Sequence, residues 1–124
     1  MELSARELYD TCNTKFHDSC REGYLVKRGG IVKNWKKRWF VVQYDQMSYF
    51  VTKESKKPQK VWDLKTLLKV NECECENKKN TFCLVFVART IYCVAPTSLE
   101  MEQWILFYQR KIEKYKRKKI LDMY

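Results

Sequence analysis

Histidine is almost absent from this sequence, which contains His17 and no other. A histidine general base would therefore have to be this one residue near the start of the chain. The sequence also has no G-x-S-x-G motif, no phosphate-binding loop and no plausibly placed pair of carboxylates. A cysteine nucleophile would lack a positioned base. We therefore expect no enzymatic activity, no catalytic residues and no cofactor.

Long apolar runs are also missing. No stretch approaches the roughly 20 apolar residues that a membrane-spanning helix needs. The first four residues do not open an apolar segment of the kind found in signal peptides. We therefore expect a chain without a signal peptide, whose contact with any membrane is confined to the membrane surface.

Acidic residues are outnumbered by basic ones. The 124 residues include 25 Lys and Arg against 15 Asp and Glu, which gives a net charge of +10 at pH 7. This excess favours a polyanionic partner, whether nucleic acid, anionic lipid or an acidic protein, and charge alone does not distinguish among them. The length and an apolar fraction of 45% indicate one folded domain with its own core.

Six cysteines in a short chain raise the questions of disulfides and of metal binding. Cys83 and Cys93 lie in apolar runs, where a free cysteine packs as a small hydrophobic residue. Cys73 and Cys75 alternate with glutamates, as on one face of a strand. The spacing matches no paired C-x-x-C zinc motif, even with His17 as a further ligand. We expect reduced thiols in a cytoplasmic protein and no metal site.

The chain is predicted to form strands first and a long helix last. Residues 1–20 are predicted to be a short helical leader and a link. Runs rich in apolar and β-branched residues then predict about seven strands, one of which continues through Cys73–Glu76. Thr97 and Glu100 form a capping box, and an apolar stripe with helical spacing follows. Strands segregated from one helix indicate a mainly β, α+β fold with an antiparallel sheet or capped barrel.

Several segments resemble a pleckstrin-homology (PH) domain. Arg21–Gly30 and Trp35–Val42 resemble its first two strands, Tyr49 and Phe50 its third, and Trp104 the tryptophan of its last helix. The resemblance implies a seven-stranded, bent antiparallel barrel closed at one end by the C-terminal helix. It places the ligand at the open end, between the loops after the first, third and sixth strands.

The resemblance divides the chain into three parts. These are an N-terminal helical leader (1–20), a PH domain (21–115) and a basic C-terminal helix extension (116–124). Five of the six residues from Lys114 to Lys119 are cations. Such a run is typical of a solvated helix end, which the helix dipole favours, and it also suits an anionic membrane surface.

Within the family, the sequence resembles the PH domains that recognise 3-phosphorylated inositides, such as those of dual adaptors for phosphotyrosine and 3-phosphoinositides. This subset has a basic residue late in the first strand, Lys-x-Arg in the second and a tyrosine in the third. The residues that the resemblance assigns to the inositol phosphate headgroup are Lys27, Arg28, Asn34, Lys36, Arg38, Tyr49, Lys57, Lys60 and Arg89. Lys27 and Arg38 are expected at the phosphate on position 3, Lys36 at its neighbours, and the Tyr49 hydroxyl at position 4.

The chemistry of these residues suits that ligand. A phosphorylated inositol needs several cationic donors, of which Arg supplies a bidentate fork and Lys a compact charge. Lys36 and Arg38 are two residues apart and so share one face of a strand. At the nearby Gly29–Gly30 tip, glycines let the backbone approach a ligand and adopt positive φ. Ile31, Val32 and Lys33 are expected to contact the membrane.

The sequence thus predicts a module that binds phosphatidylinositol 3,4,5-trisphosphate, 3,4-bisphosphate or both. We expect a cytoplasmic monomer that is reversibly recruited to the plasma membrane. The main alternative is a PH domain that binds a signalling protein without specific lipid binding, since fold does not fix function. Nucleic acid is not expected as a partner, because the aromatic residues that interleave with cations at Trp35–Trp39 are assigned to core strands.

Overall fold

The computed structural model describes Ser4 and residues 20–124. The chain divides into two compact units, residues 1–64 and 65–124. The predicted helical leader, residues 1–20, lies outside the described part apart from Ser4 and its last residue.

Four strands form an antiparallel meander in the first unit, each paired with the next along the chain. They are β1 (Cys20–Arg28), β2 (Trp35–Gln43), β3 (Gln46–Phe50) and β4 (Lys60–Asp63). Strand β1 is longer than the apolar run Tyr24–Val26 that it contains. Its flanking polar residues also pair with β2, over the full length from Cys20 to Arg28.

Strand β2 changes character along its length. Its first four residues, Trp35–Arg38, are exposed or half-buried, whereas Trp39–Val42 are buried on both faces of the sheet. On one face, Trp39, Val41 and Phe50 form an apolar cluster. Burial of each large apolar side chain contributes about 1.5–3 kcal/mol. The buried half therefore fixes the position of the exposed, basic half.

Three strands and a helix make up the second unit. They are β5 (Leu67–Glu72), β6 (Thr81–Phe86), β7 (Thr90–Val94) and α1 (Ser98–Asp122). The strands again form an antiparallel meander, and the helix packs against β5 and β6. The predicted continuation of β5 through Cys73–Glu76 is wrong. Glu76 and Asn77 have φ of 55° and 59°, in the left-handed region that a strand does not contain.

Helix α1 begins where the capping box predicted. The Glu100 N–H donates to Thr97 Oγ1 at 3.1 Å, so Thr97 is the N-cap. The residues that the helix buries are Met101, Trp104, Tyr108, Lys111 and Ile112. The Trp104 and Tyr108 rings stack with centroids 5.8 Å apart. The burial of Lys111 was not predicted.

Seven antiparallel strands followed by one long helix, within residues 20–124, confirm the predicted mainly β, α+β, PH-like fold class. In that part of the chain, no helix combines the length and the apolar character needed to cross a membrane.

Candidate anion-binding site

The pairing of β1 with β2 places three of the predicted site residues on one side of the β1–β4 meander, which we call the first sheet. Lys27 lies opposite Lys36, and Leu25 lies opposite Arg38. Residues that face each other across an antiparallel pair share a side, as do alternate residues along a strand. Lys27, Lys36 and Arg38 therefore project from the same side.

Strands β3 and β4 add two more predicted residues to this side. Phe40, two residues beyond Arg38, lies opposite Tyr49, and Tyr49 lies opposite Lys60. We call the side of the sheet that carries Lys27, Lys36, Arg38, Tyr49 and Lys60 the basic face. Residues from four different strands contribute to it, although they span more than 30 positions of the sequence.

Lys27 lies against the core at one edge of the basic face. It is only 9% exposed, and its Nζ is 4.7 Å from the centroid of the Tyr49 ring. The face of an aromatic ring attracts a cation at this distance. The Tyr49 ring in turn packs against Phe40, with centroids 5.3 Å apart. The core thus fixes both the ammonium group and the tyrosine.

The guanidinium group of Arg38 is positioned by two acceptors. Its Nε donates to Gln59 Oε1 at 2.6 Å, and its Nη1 donates to the carbonyl of Lys37 at 2.8 Å. Gln59 is anchored in turn, because its backbone N–H donates to the carbonyl of Tyr49 at 2.8 Å. A guanidinium has five N–H donors. The other three have no acceptor among the described residues and can bind an anion.

Gln59 is a site residue that the sequence analysis missed. It is 21 positions away from Arg38 and lies in an exposed loop among lysines. Its role depends on the return of the β3–β4 loop to Tyr49, which neither composition nor periodicity encodes. The sequence feature that could have pointed to Gln59 is its position immediately before Lys60, where β4 begins.

The loop between β1 and β2 is closed by main-chain hydrogen bonds. The Gly29 N–H donates to the Asn34 carbonyl at 2.8 Å, and the Asn34 N–H donates to the Val32 carbonyl at 2.9 Å. None of the three glycines, all of them described, has a positive φ, contrary to the expectation for the Gly29–Gly30 tip. Gly29 is needed for space instead, because a Cβ there would collide with the Val32 carbonyl oxygen.

The tip of this loop is apolar and open to solvent. Ile31 is 100% exposed and Val32 is 69% exposed. Lys33, the next residue, is also exposed. The loop follows Arg28 and leads into the exposed, basic half of β2, so the apolar tip is flanked by cations on both sides.

Four other predicted residues are not placed on the basic face by the strand pairing, one of which is Asn34 in the β1–β2 loop. Arg28 lies opposite Trp35 and so points to the other side of the sheet. Lys57 is exposed in the β3–β4 loop. Arg89 is exposed in the turn between β6 and β7 of the second unit.

The opposite side of the first sheet has a separate set of contacts. The Lys37 Nζ lies 4.5 Å from the centroid of the Tyr24 ring, and the Tyr24 and Trp39 rings meet edge-on at 4.6 Å. Lys36 and Lys37 are thus neighbouring lysines, both exposed, that project from opposite sides.

The cysteines of the second unit are divided between the two sides of its sheet. Cys83 lies opposite Tyr92, whereas Cys93 lies opposite Phe82. Adjacent strand residues point to opposite sides, so Cys83 and Cys93 cannot share a metal ion. No group of three or more potential metal ligands occurs in the described part of the chain. His17 lies outside it.

Oxidation states differ among the cysteines. Cys73, Cys75, Cys83 and Cys93 are free thiols, but Cys20 is disulfide-bonded. The expectation of reduced thiols throughout is therefore wrong at Cys20. That expectation rested on cellular compartment, which carries no information about which sulfur atoms the fold brings together.

The thiol of Cys73 is expected to be unreactive at neutral pH. Burial raises the pKa of its thiol from 9.0 to about 12, and the neighbouring Cys83, Cys75 and Glu72 add to the shift. A thiol with this pKa stays protonated at neutral pH, and only the thiolate is an effective nucleophile or metal ligand. The thiol of Cys73 is therefore expected to be neither an effective nucleophile nor a metal ligand at neutral pH.

The basic face is suited to an anion with several phosphate groups. Its cations come from three strands, β1, β2 and β4, and differ in donor geometry: Arg38 presents a planar fork, whereas Lys27 and Lys36 present point charges. Charge-assisted hydrogen bonds to phosphate oxygens are about twice as strong as neutral ones. Tyr49 supplies a hydroxyl on the same side of the sheet.

Comparisons with known proteins agree with the predicted resemblance. The family model of the PH domain matches residues 20–113. A mouse protein, the dual adapter for phosphotyrosine and 3-phosphotyrosine and 3-phosphoinositide, is 39% identical over 97 residues, which cover 78% of this chain and 35% of that protein. Mouse pleckstrin homology domain-containing family A member 2 is 31% identical over 90 residues, covering 68% and 21%. The chain thus corresponds to about a third or less of these relatives.

Solved structures with the same fold include complexes with inositol phosphates. The C-terminal PH domain of pleckstrin in complex with D-myo-Ins(1,2,3,4,5)P5 has a TM-score of 0.63 and 26% identity, covering 73% of this chain and 94% of that one. Its complex with D-myo-Ins(1,2,3,5,6)P5 has a TM-score of 0.66 and 26% identity, covering 74% and 93%.

Proposed function

Because the chain belongs to the PH-domain family, we propose that its basic face binds the phosphorylated headgroup of a phosphoinositide and thereby recruits the protein to a membrane. One observation carries the proposal. Lys27, Lys36 and Arg38 lie on the same side of the sheet, and Gln59 orients the guanidinium of Arg38. The bound inositol phosphates in the pleckstrin complexes support it.

The finer proposal is a preference for 3-phosphorylated lipids. The name of the mouse dual adapter includes 3-phosphoinositide, and this chain has the basic residues and the tyrosine of that subset. We assign Lys27 and Arg38 to the phosphate on position 3 and Lys36 to the neighbouring phosphates. The Tyr49 hydroxyl donates to the phosphate on position 4. The ligand is phosphatidylinositol 3,4,5-trisphosphate, 3,4-bisphosphate or both.

The remaining predicted residues have supporting roles in this proposal. Lys60 extends the basic face along β4, and its Nζ lies 5.3 Å from the centroid of the Trp62 ring. Asn34 closes the β1–β2 loop through its main chain. The exposed Lys57 is the outer contact of the headgroup, whereas Arg28, half-buried on the other side of the sheet, and Arg89, in the second unit, stay predictions of the resemblance.

The β1–β2 loop contacts the bilayer while the headgroup is bound. Its tip residues Ile31 and Val32 enter the boundary between headgroups and acyl chains, and Lys33 meets anionic lipid. Removal of apolar surface from water contributes about 25 cal/mol for each Å² buried. The loop thus strengthens membrane binding without selecting the inositide. The protein moves from cytosol to plasma membrane when a lipid kinase makes its ligand.

The proposal is tested by co-sedimentation with vesicles that each contain one phosphoinositide, at physiological salt. The wild type is compared with Lys27→Ala/Arg38→Ala, and thermal melting confirms that both are folded. Lys36→Ala is a further variant, because Lys36 is exposed and its loss leaves the core intact. Each lost charge-assisted contact is expected to weaken binding, at about 1.5–3 kcal/mol per hydrogen bond to a charged group.

Selective sedimentation with one or two 3-phosphorylated lipids, abolished in the double variant and weakened in Lys36→Ala, is the expected result. Equal sedimentation with every anionic vesicle, unchanged in the variants, would show that the basic face is not a headgroup site. The domain would then be one that binds a signalling protein, which is the alternative that PH domains allow.

A further inference from the structure

Helix α1 continues well beyond its contact with the sheet. Its last buried residue is Ile112, but the helix runs on to Asp122. All residues from 113 to 124 are exposed except the half-buried Tyr115. The exposed part of α1 thus starts three residues before the predicted extension 116–124. This longer helix extension, residues 113–124, has no part in the proposed headgroup site.

The helix extension has a basic segment followed by an apolar one. Lys114 and the run Lys116–Lys119 supply five cations within six residues. The ion pair of Arg117 with Glu113, at 3.9 Å, is exposed and therefore weak. The apolar residues of the next turn are Ile120, Leu121 and Met123, which are 55%, 73% and 79% exposed.

Within the described part of the chain, most of these cations have no acidic partner, and the apolar side chains remain exposed. The four lysines of the basic segment have no ion pair there. Cations beside exposed apolar side chains match the two layers of an anionic bilayer surface, its charged headgroups and its hydrocarbon boundary. Nucleic acid would match the cations but would leave the apolar turn in water, because its affinity rests on phosphate contacts.

We propose that the helix extension is a second membrane-binding element, which docks on anionic lipid without requiring a phosphoinositide. Its lysines and Arg117 bind lipid headgroups, and Ile120 and Leu121 enter the boundary with the acyl chains. The affinity of this contact depends on total anionic lipid and falls as salt rises.

The test uses phosphatidylcholine vesicles with phosphatidylserine and no inositide, so its outcome is independent of the headgroup site. The variant replaces Lys116, Arg117, Lys118 and Lys119 by Gln. A matched control removes the same charge from exposed lysines elsewhere in the second unit, through Lys65→Gln, Lys69→Gln, Lys78→Gln and Lys79→Gln. A third variant is Ile120→Ser/Leu121→Ser. Calorimetric titration with soluble inositol 1,3,4,5-tetrakisphosphate monitors the headgroup site separately.

The expected result is at least about a tenfold loss of vesicle partitioning in the helix variant, since each cation near an anionic surface has a sizeable effect. The control loses about threefold or less, Ile120→Ser/Leu121→Ser is intermediate, and soluble headgroup binding is unchanged in all three. Equal losses in the helix variant and the control would overturn the proposal, because net charge would then explain the binding. Binding to duplex DNA that requires the basic segment, with no binding to vesicles, would also overturn the proposal.

Discussion

At the scale of single residues, the position of Arg38 depends on a partner that is distant in the sequence. The Arg38 Nε is bound to Gln59 Oε1, and the Gln59 backbone is bound to Tyr49. Gln59 therefore acts as a positioning residue: it reduces the conformational freedom that the guanidinium loses when a ligand binds. An arginine side chain that is already oriented in the free protein loses less conformational freedom when it binds a phosphate.

Replacement of Gln59 by Ala should weaken binding of soluble inositol 1,3,4,5-tetrakisphosphate by about two- to tenfold, which corresponds to one hydrogen bond of roughly 0.5–1.5 kcal/mol. Isothermal titration calorimetry measures the effect. Gln46→Ala is the matched control, because Gln46 is an exposed glutamine at the far end of β3. Identical affinities for Gln59→Ala and the wild type would show that Arg38 does not need this partner.

Cys73 permits a prediction of pH dependence. Because the pKa of its thiol is raised from 9.0 to about 12 in the folded protein, Cys73 should resist alkylation by iodoacetamide between pH 8 and 10. The same pKa difference stabilises the fold below pH 9, and this stabilisation is lost as pH rises toward 12. Mass spectrometry of Cys73 peptides measures the alkylation rate in the native state and in urea.

Cys83 is the neighbouring group that raises the pKa of Cys73 most. Cys83→Ser should therefore lower that pKa and accelerate alkylation of Cys73. Cys73 in urea should react at the rate of an ordinary cysteine. A native-state rate at pH 8 equal to the rate in urea would contradict the raised pKa of the Cys73 thiol.

The residue types of the candidate site could be predicted from the sequence, but the contacts that hold their side chains in place could not. Lys36 and Arg38 share a face because strand side chains alternate, so their common orientation follows from spacing alone. The contact of Lys27 with the Tyr49 ring joins the first strand to the third, and the Gln59 contact requires the conformation of a loop. Such contacts depend on register and loop geometry, which local sequence does not specify.

At the scale of secondary structure elements, the β1–β2 loop has a tightly constrained start. Its Gly29 donates to the Asn34 carbonyl, and the site of its missing Cβ is occupied by the carbonyl oxygen of Val32. The loop conformation that exposes Ile31 and Val32 therefore depends on glycine at this position for steric reasons.

Gly29→Ala should either rearrange this loop or destabilise the protein by about 1–3 kcal/mol, as overpacking does elsewhere. Urea unfolding measures the change in free energy, and vesicle binding reports on the loop. Gly30→Ala is the control, because Gly30 is exposed, and we expect a change within about 0.5 kcal/mol. Equal stability and equal vesicle binding for the two variants would rule out the steric constraint.

The ends of elements were less predictable than their order. The N-terminus of α1 was predicted correctly because the Thr97 hydroxyl and the backbone N–H of Glu100 form a local hydrogen bond. The end of β5 was not, because the alternation of Cys73 and Cys75 with glutamates continues beyond Glu72, where the strand ends, up to the turn at Glu76 and Asn77. A period of two is compatible with a strand but does not show that a partner strand is present.

At the scale of the whole molecule, the net charge of +10 leaves the partner open. The structure divides part of that charge into two chemically distinct surfaces. The basic face holds its cations on strands, with Arg38 oriented by hydrogen bonds, as selective recognition requires. The helix extension holds its cations on an exposed helix, as non-selective attraction to anionic lipid requires. Selectivity and overall membrane affinity are therefore expected to respond to different substitutions.

The central claim is that an inositol phosphate binds to one side of the first sheet rather than to the positive charge as a whole. Lys36 and Lys37 test it directly, because they are adjacent, both exposed, and project from opposite sides. Isothermal titration calorimetry with soluble inositol 1,3,4,5-tetrakisphosphate should show Lys36→Ala weakened by about tenfold or more and Lys37→Ala by less than about twofold, given the strength of a hydrogen bond to a charged group. Equal affinities for the two variants would contradict the claim.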